Sequence, residues 1–391
     1  MNIKSIRQAK KLKGRRVLLR VDFNVPINKD GQVGKDEDYR LVQSLPTIRY
    51  LIKKKAKIII MAHLGRPDGK RVERLRLDPV AVRLSQLLRK SIYKSDIIFG
   101  KEVEQKIEQM KPGEVLLLEN IRFDRREEKG NKIFAKQLAK LGDVFVNDGF
   151  AVSHREHVSV ATIQHYLPSY AGLLLEGELK SLSGIFERSP KPLVAIIGGA
   201  KISTKIKVIS RFLKYADYVL LGGALANTVL KAMGVAVGKS LIEPKMIGEI
   251  RQIKLTDDQL RVPVDGIFAG SFQAIKGRID ALGDIRKNEV ILDIGPETIE
   301  LYRHIISQAK TVVWNGPMGL IETPFFARGT KELIKILAQS KAKTIVGGGE
   351  TVQLIRMMGL EKKFTFISTG GGAMLEYLEG KKLPGLKKIV Y

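Results

Sequence analysis

Two sets of residues in this chain have the types and spacing for chemistry. In the first half, Asp22, Asn24, Arg40, His63, Arg66, Arg122 and the pair His154-Arg155 fall at or just beyond the ends of apolar runs. Guanidinium forks grip phosphate and carboxylate bidentately, so four arginines and two histidines on one rim would suit a compact, highly charged anion. In the second half the corresponding positions are glycines: 198-GG-199, 222-GG-223, 347-GGG-349 and 370-GGG-372. Lacking Cβ, they suit close backbone approach to the phosphates or base of a nucleotide. The stretch 193-LVAIIGGAKISTKIKVI-209 reads as strand, tight turn and helix, with Ile202, Ile206 and Ile209 at helical spacing. Lys201 and Lys205, four apart, would point into the same anion. Each feature has an ordinary alternative, a solvated arginine or a plain strand-to-helix turn, and the repeated coincidence with strand ends carries the functional reading. The segment 234-GVAVGKS-240 is not a phosphate loop, because Met233 stands where a glycine is needed and a helical stretch precedes it. Cysteine is absent, so oxygen, nitrogen or a bound ion must do any chemistry.

These rims need strands to hold them. Apolar runs recur at 17–23, 57–63, 96–100, 115–120 and 143–148, then at 193–197, 217–223, 262–266, 290–296, 311–317, 344–349 and 365–373. Runs without polar alternation, separated by helical stretches, predict parallel sheets buried on both faces. Ligands then bind beyond the carboxyl ends of the strands. The stretch 78-DPVAVRLSQLLRK-90 predicts a helix with an Asp cap and Pro at its first position. At 391 residues the chain exceeds one usual core, and two α/β sandwiches in tandem are expected. The 68 Lys and Arg against 41 Asp and Glu give +27, which favours anionic partners. Nucleic acid is one such partner, but only 6% of the chain is aromatic and no motif implies base stacking. No apolar run reaches the roughly 18 residues that span a bilayer, and the first residues lack a signal-peptide core, so a cytoplasmic location without membrane attachment is expected.

The segments 21-VDFNVP-26, 63-HLGRP-67, 119-ENIRF-123, 198-GGAKISTK-205, 293-DIGP-296, 314-WNGPMG-319 and 368-STGGGA-373 resemble the phosphoglycerate kinase family, in order, from about residue 3 to the C-terminus. The resemblance implies two Rossmann-like three-layer α/β/α domains with mainly parallel sheets, joined by a hinge helix near 168–182. An N-terminal domain, 1–168, would bind 3-phosphoglycerate, and a tail from about 378 to 391 would pack back on it. Residues 169–377, including the interdomain helix, would bind nucleotide. On the glycerate side it implies Asp22, Phe23, Asn24, Arg40, His63, Leu64, Gly65, Arg66, Arg122 and Arg155. On the nucleotide side it implies Gly199, Lys205, Gly223, Asn315, Pro317, Glu322, Gly348, Gly349, Glu350 and Thr351. Arg40, Lys201, Gly371 and Gly372 would attend the moving phosphoryl group. Mg²⁺ would enter with ATP or ADP, near Glu350, and the chain would act as a monomer. The implied reaction is reversible transfer between 1,3-bisphosphoglycerate and ADP, giving 3-phosphoglycerate and ATP in glycolysis. Glu350 stands where the family has a metal-associated aspartate, and Thr204, Phe366 and Met374 also depart from its pattern. A catalytically weakened homologue and a basic nucleic-acid-binding or scaffold protein are the alternatives left by the sequence.

Overall fold

A computed structural model describes residues 2–253 and 258–391. The chain divides into two compact units, residues 1–183 with 381–391, and residues 184–380.

The first unit is built on strands β1 (Arg16–Arg20), β2 (Lys57–Met61), β3 (Tyr93–Lys94), β4 (Val115–Leu117), β5 (Val144–Asn147) and β6 (Ser169–Ala171). They form one sheet in the order β3-β4-β2-β1-β5-β6, with every pairing parallel. Side chains alternate across the pleat. Val17, Leu19, Ile58 and Ile60 therefore enter one core, while Leu18, Ile59 and Met61 enter the other. Helices cover both faces, which completes three layers. The third strand lies at Tyr93–Lys94, before the expected apolar run 96–100, which is bend rather than strand. The helix Asp78–Leu88 is capped by Leu77 without a side-chain bond, and Asp78 pairs instead with Arg76 (2.9 Å) and Lys94 (3.1 Å). Two nearby cations outcompete the backbone N–H groups for that carboxylate.

The second unit has strands β7 (Leu193–Ile197), β8 (Tyr218–Leu221), β9 (Leu260–Arg261), β10 (Asp265–Ala269), β11 (Arg278–Ala281), β12 (Val290–Ile294), β13 (Thr311–Asn315), β14 (Lys343–Gly347) and β15 (Phe366–Ile367). Six form a parallel sheet, β15-β14-β13-β7-β8-β9. The runs at 262–266 and 290–296, expected as parallel strands, instead contribute to a separate antiparallel sheet in the order β11-β10-β12. Its own apolar clusters around Phe268 and Ile267 bury it without the large sheet.

The division between units differs from the expected 168/169. The helix Leu173–Leu182 groups with the first unit because its start is tied there. Thr47 Oγ1 accepts the Leu173 N–H (2.9 Å), Asp148 Oδ1 accepts that of Leu174 (3.0 Å), and Ser5 Oγ donates to Glu176 (2.6 Å). The returning segment begins at Lys381 rather than 378, since Leu378 closes a helix of the second unit. It is held by Lys4 N–H to Ile389 O (2.8 Å) and Asn147 Nδ2 to Gly385 O (3.1 Å).

In both sheets the strand order reverses beside the first strand of the unit, at β1/β5 and at β7/β13. That reversal opens a crevice at the carboxyl ends of the strands, the usual ligand position in such folds. The candidate residues follow those strand ends.

Candidate functional site

On the first unit, the loops after β1, β2 and β4 are tied to one another through predicted site residues. Asp22 pairs with Arg40, which projects from the first turn of the helix Tyr39–Lys53, and its Oδ1 accepts the Asn24 N–H (3.1 Å). Asn24 Oδ1 accepts the Gly65 N–H (2.8 Å), and Arg122 Nη1 donates to Gly65 O (2.9 Å). Asn120 Nδ2 donates to Leu64 O (2.8 Å) while its Oδ1 takes the Arg122 N–H (3.1 Å). The structure thus brings together Asp22, Asn24, Arg40, His63, Leu64, Gly65 and Arg122. Asn24, Leu64 and Gly65 also border a hollow of about 640 Å³.

Phe23 and Leu64 belong to the apolar core, at 0% and 2% exposure, so they can offer a ligand only backbone atoms. Arg66 and Arg155 are exposed, with Arg155 close enough to depress the ionisation of Arg122. Burial of Arg122 acts in the same direction and more strongly. His63 is buried 3.9 Å from Asp22. Desolvation, followed by the charges of Arg20, Arg122 and Arg40, holds it well below the ordinary imidazole range, so it is neutral.

Four residues beneath this rim escaped the sequence reading: Arg20, Glu127, His157 and Ser159. Arg20 and Glu127 have no exposed surface, and Ser159 bridges them. Leaving one member of such a buried pair alone typically costs about 3–5 kcal/mol. A guanidinium inside the apolar run 17-VLLRVDF-23 was a usable signal, because arginine is almost never fully buried unless paired. Glu127 and Ser159 lie in irregular segments with no such contrast. Burial and neighbouring arginines push His157 down to about 3.

The second unit builds its rim from backbone. A Cβ on Gly198 would lie 2.1 Å from Pro317 O, on Gly223 2.6 Å from Gly199 N, and on Gly316 2.4 Å from Gly198 O. These glycines let strand-end loops pack on one another, a service beside the ligand approach expected of them. Open space surrounds Gly349, Gly371 and Gly372, where nothing lies within 4 Å of an added Cβ. Gly349 begins the helix Gly349–Met357, so its turn presents unbonded N–H groups outward.

The helix expected directly after 198-GG-199 begins only at Ile206. The intervening turn is organised by Thr204 Oγ1 donating to Lys201 O (3.0 Å) and by Ser203 bonding Glu243 through N (2.9 Å) and Oγ (2.6 Å). The two lysines consequently part company. Lys201 is exposed, whereas Lys205 is buried and donates to Gly198 O (2.5 Å) and Asn315 Oδ1 (3.0 Å). Desolvation lowers Lys205 to about 8, opposed only weakly by Glu350. Asn315 Nδ2 and Thr351 Oγ1 are buried without hydrogen-bond partners.

A cavity of about 220 Å³ opens beside this rim, bordered by Gly199, Gly223, Pro317, Glu322 and Glu350, with an apolar wall that includes Leu230 and Leu282. An apolar slot ending in open N–H groups suits a flat base continuing into phosphates. Glu350 is exposed at its mouth. Among the described residues no group of three or more His, Cys, Asp or Glu could enclose a metal ion. Glu350, a single exposed carboxylate, is the kind of donor with which Mg²⁺ binds, one or two carboxylates together with substrate phosphates and waters. Met374, one of the departures, is fully buried against Gly347, so it fills core rather than facing a ligand.

A sequence profile of the phosphoglycerate kinase family matches residues 6–381. Phosphoglycerate kinase of Dictyoglomus turgidum is 46% identical over 381 residues, 96% of this chain and 95% of that protein. The enzyme of Roseiflexus sp. (strain RS-1) is 47% identical over 380 residues, 95% of each chain. Among solved structures, phosphoglycerate kinase from Coxiella burnetii aligns with TM-score 0.85 at 38% identity, covering 99% of this chain and 98% of that one. The Pyrococcus horikoshii OT3 enzyme gives 0.87 at 34%, with the same coverage. With a profile match that takes in the loops of both rims and relatives matched over nearly their full lengths, the chain belongs to the phosphoglycerate kinase family.

Proposed function

We propose that this chain transfers a phosphoryl group reversibly between 1,3-bisphosphoglycerate and ADP, giving 3-phosphoglycerate and ATP, as a phosphotransferase with a carboxyl group as acceptor. The observation that carries the reading is the family match over residues 6–381, which includes both candidate rims. It favours the enzyme over a scaffold or nucleic-acid-binding role. In this reading the charged rim of the first unit, Asp22, Asn24, Arg40, His63, Arg66, Arg122 and Arg155, holds 3-phosphoglycerate, and backbone at Phe23, Leu64 and Gly65 shapes it. The second unit holds the nucleotide through the cavity at Gly199, Gly223, Pro317 and Glu322 and through the loop Gly348, Gly349, Glu350 and Thr351, with Lys205 and Asn315 beneath.

The chemistry asks little of a protein base, because the nucleophile is already a carboxylate or phosphate oxygen. Catalysis is then positioning and neutralisation of charge on the moving group. Arg40 and Lys201 would supply cations, and Gly371 and Gly372, with open space around them, would supply N–H groups. Mg²⁺, when bound with the nucleotide, would neutralise phosphate charge, and Glu350 would be the carboxylate that holds it. The expected hinge motion follows from the reaction itself, since reactants held on different units must meet with water excluded. The chain is proposed to work as a cytoplasmic monomer. Among the described residues no helix is long and apolar enough to cross a membrane.

A coupled assay with 3-phosphoglycerate, ATP and Mg²⁺ tests the reading. Expected is turnover that needs all three. Nucleotide binding without transfer would leave the weakened-homologue alternative in its place.

A further inference from the structure

Arg20 is among the largest side chains in the molecule with no exposed surface. It ends β1 two residues before Asp22, yet it reaches no solvent and therefore no solute. Each of its three nitrogens has a partner. Nε donates to Ser159 Oγ (2.8 Å), Nη1 to Val21 O, and Nη2 lies 3.3 Å from His63 Nδ1. Ser159 Oγ in turn donates to Glu127 Oε1 (2.6 Å), and Ser159 N donates to Glu127 Oε2 (3.0 Å). A carboxylate, a hydroxyl and a guanidinium thus form a buried chain that terminates on the imidazole.

The direction of that last contact is set by chemistry. A guanidinium has donors and no acceptor, so His63 Nδ1 must accept. A neutral imidazole carries one N–H, which then lies on Nε2. Asp22 Oδ1, 3.9 Å from Nδ1, would favour a proton there, but Asp22 is engaged by Arg40 and by the Asn24 N–H. The remaining charged or titratable neighbours, Arg122, Arg40 and His157, also disfavour a positive imidazole.

We infer that Arg20, anchored by Glu127 and Ser159, is a positioning residue that fixes His63 as the Nε2–H tautomer, so that His63 presents the glycerate anion with a neutral hydrogen-bond donor. The role for the substrate rests on the function proposed above; the tautomer does not. Specificity follows, because an N–H donor set among the cations Arg40 and Arg122 favours an anion in its fully ionised form.

The test is the ¹⁵N spectrum of the histidines in the full chain, five in number, with His63 assigned by loss of its signal in His63→Gln. Wild type is expected to show His63 protonated at Nε2 alone, unchanged from about pH 6 to 9. Arg20→Gln with Glu127→Gln removes both buried charges together, so neither is left unpaired. In this variant the tautomer is no longer dictated and should become mixed, while 3-phosphoglycerate binding by calorimetry weakens about tenfold, the size of one hydrogen bond to a charged group. Nucleotide affinity should not change. Arg20→Gln alone, whose amide can either donate or accept and so dictates neither tautomer, should show the same mixing and guards against a double variant that fails to fold. A wild-type proton on Nδ1, a charged His63 at neutral pH, or an unmixed Nε2–H tautomer in a folded variant would overturn the inference. A chain without kinase turnover but with the stated tautomer shift would overturn only the proposed function.

Discussion

In the proposed function the two units answer the same problem, holding an anion at the carboxyl ends of parallel strands, with different materials. The first unit uses side chains: Asp22, Arg40, His63 and Arg122 meet around interlocked loops, with Arg20 and Glu127 buried below. The second uses backbone, with glycines at Gly198, Gly223 and Gly316 so closely packed that a methyl group would strike a neighbouring main chain. Charge follows the same division. Residues of the first unit include 41 Lys and Arg against 22 Asp and Glu, those of the second 27 against 19. The difference teaches that a cationic rim must be built twice, once where it meets the ligand and once underneath. Its charges repel one another and need buried counter-charges, as Glu127 provides. A backbone rim needs no such foundation, but it tolerates almost no added volume.

The largest expected effect attacks the backbone rim. Gly316 has φ 93° and Gly198 O would lie 2.4 Å from its Cβ, so Gly316→Ala combines backbone strain with overpacking. A loss of about 3 kcal/mol is expected, appearing in thermal unfolding and nucleotide binding together, with the glycerate site of the folded fraction unchanged. Wild-type nucleotide affinity in this variant would mean that the loop gives way and that the rim is not rigid.

Next is Lys201, exposed and free to follow a moving charge where Lys205 is not. Lys201→Ala should lower kcat on the order of 100-fold with smaller changes in either KM. Steady-state kinetics showing an unchanged kcat with a raised nucleotide KM would make it a binding residue instead.

A pH series sharpens the contrast further. Lys205 titrates near 8, so its charge fades between pH 7 and 9, and nucleotide affinity should fall by up to about tenfold over that range. The stability sign is opposite. A lysine whose folded value lies below its unfolded 10.5 penalises folding fully below pH 8, and the penalty is relieved as pH rises towards 10.5. Lys205→Met should flatten both curves. Glycerate binding should stay level across pH 7 to 9, since His63 titrates well below that range. Parallel pH curves for the two ligands would erase the distinction drawn between the rims.

The smallest effect concerns Glu350. Mg²⁺ requires near-octahedral geometry, and a carboxylate one methylene longer must recede or approach from another angle. Glu350→Asp should tighten Mg-nucleotide binding by about 2- to 10-fold and leave glycerate binding alone. Magnesium titrations at fixed ADP, with Glu350→Ala alongside, decide it: an Ala variant matching wild type would remove Glu350 from the metal.

Sequence alone determined the repeated architecture, because fully apolar strand runs such as 58-IIIM-61 and 193-LVAII-197 suit the interior of a parallel sheet. It also delivered the interlocked residues Asp22, Asn24, Arg40, His63 and Arg122, since charged groups at strand ends contrast with what precedes them. It did not determine which of two lysines four apart stays in water, that β10, β11 and β12 form a sheet of their own, or that the helix Leu173–Leu182 packs with the first unit. Nor did it reveal that Gly198 and Gly316 serve each other while Gly349, Gly371 and Gly372 stay open. Each of these depends on contacts between residues far apart in the chain. Periodicity reports which face of an element is apolar, and only tertiary packing decides what that face, or a missing side chain, comes to lie against.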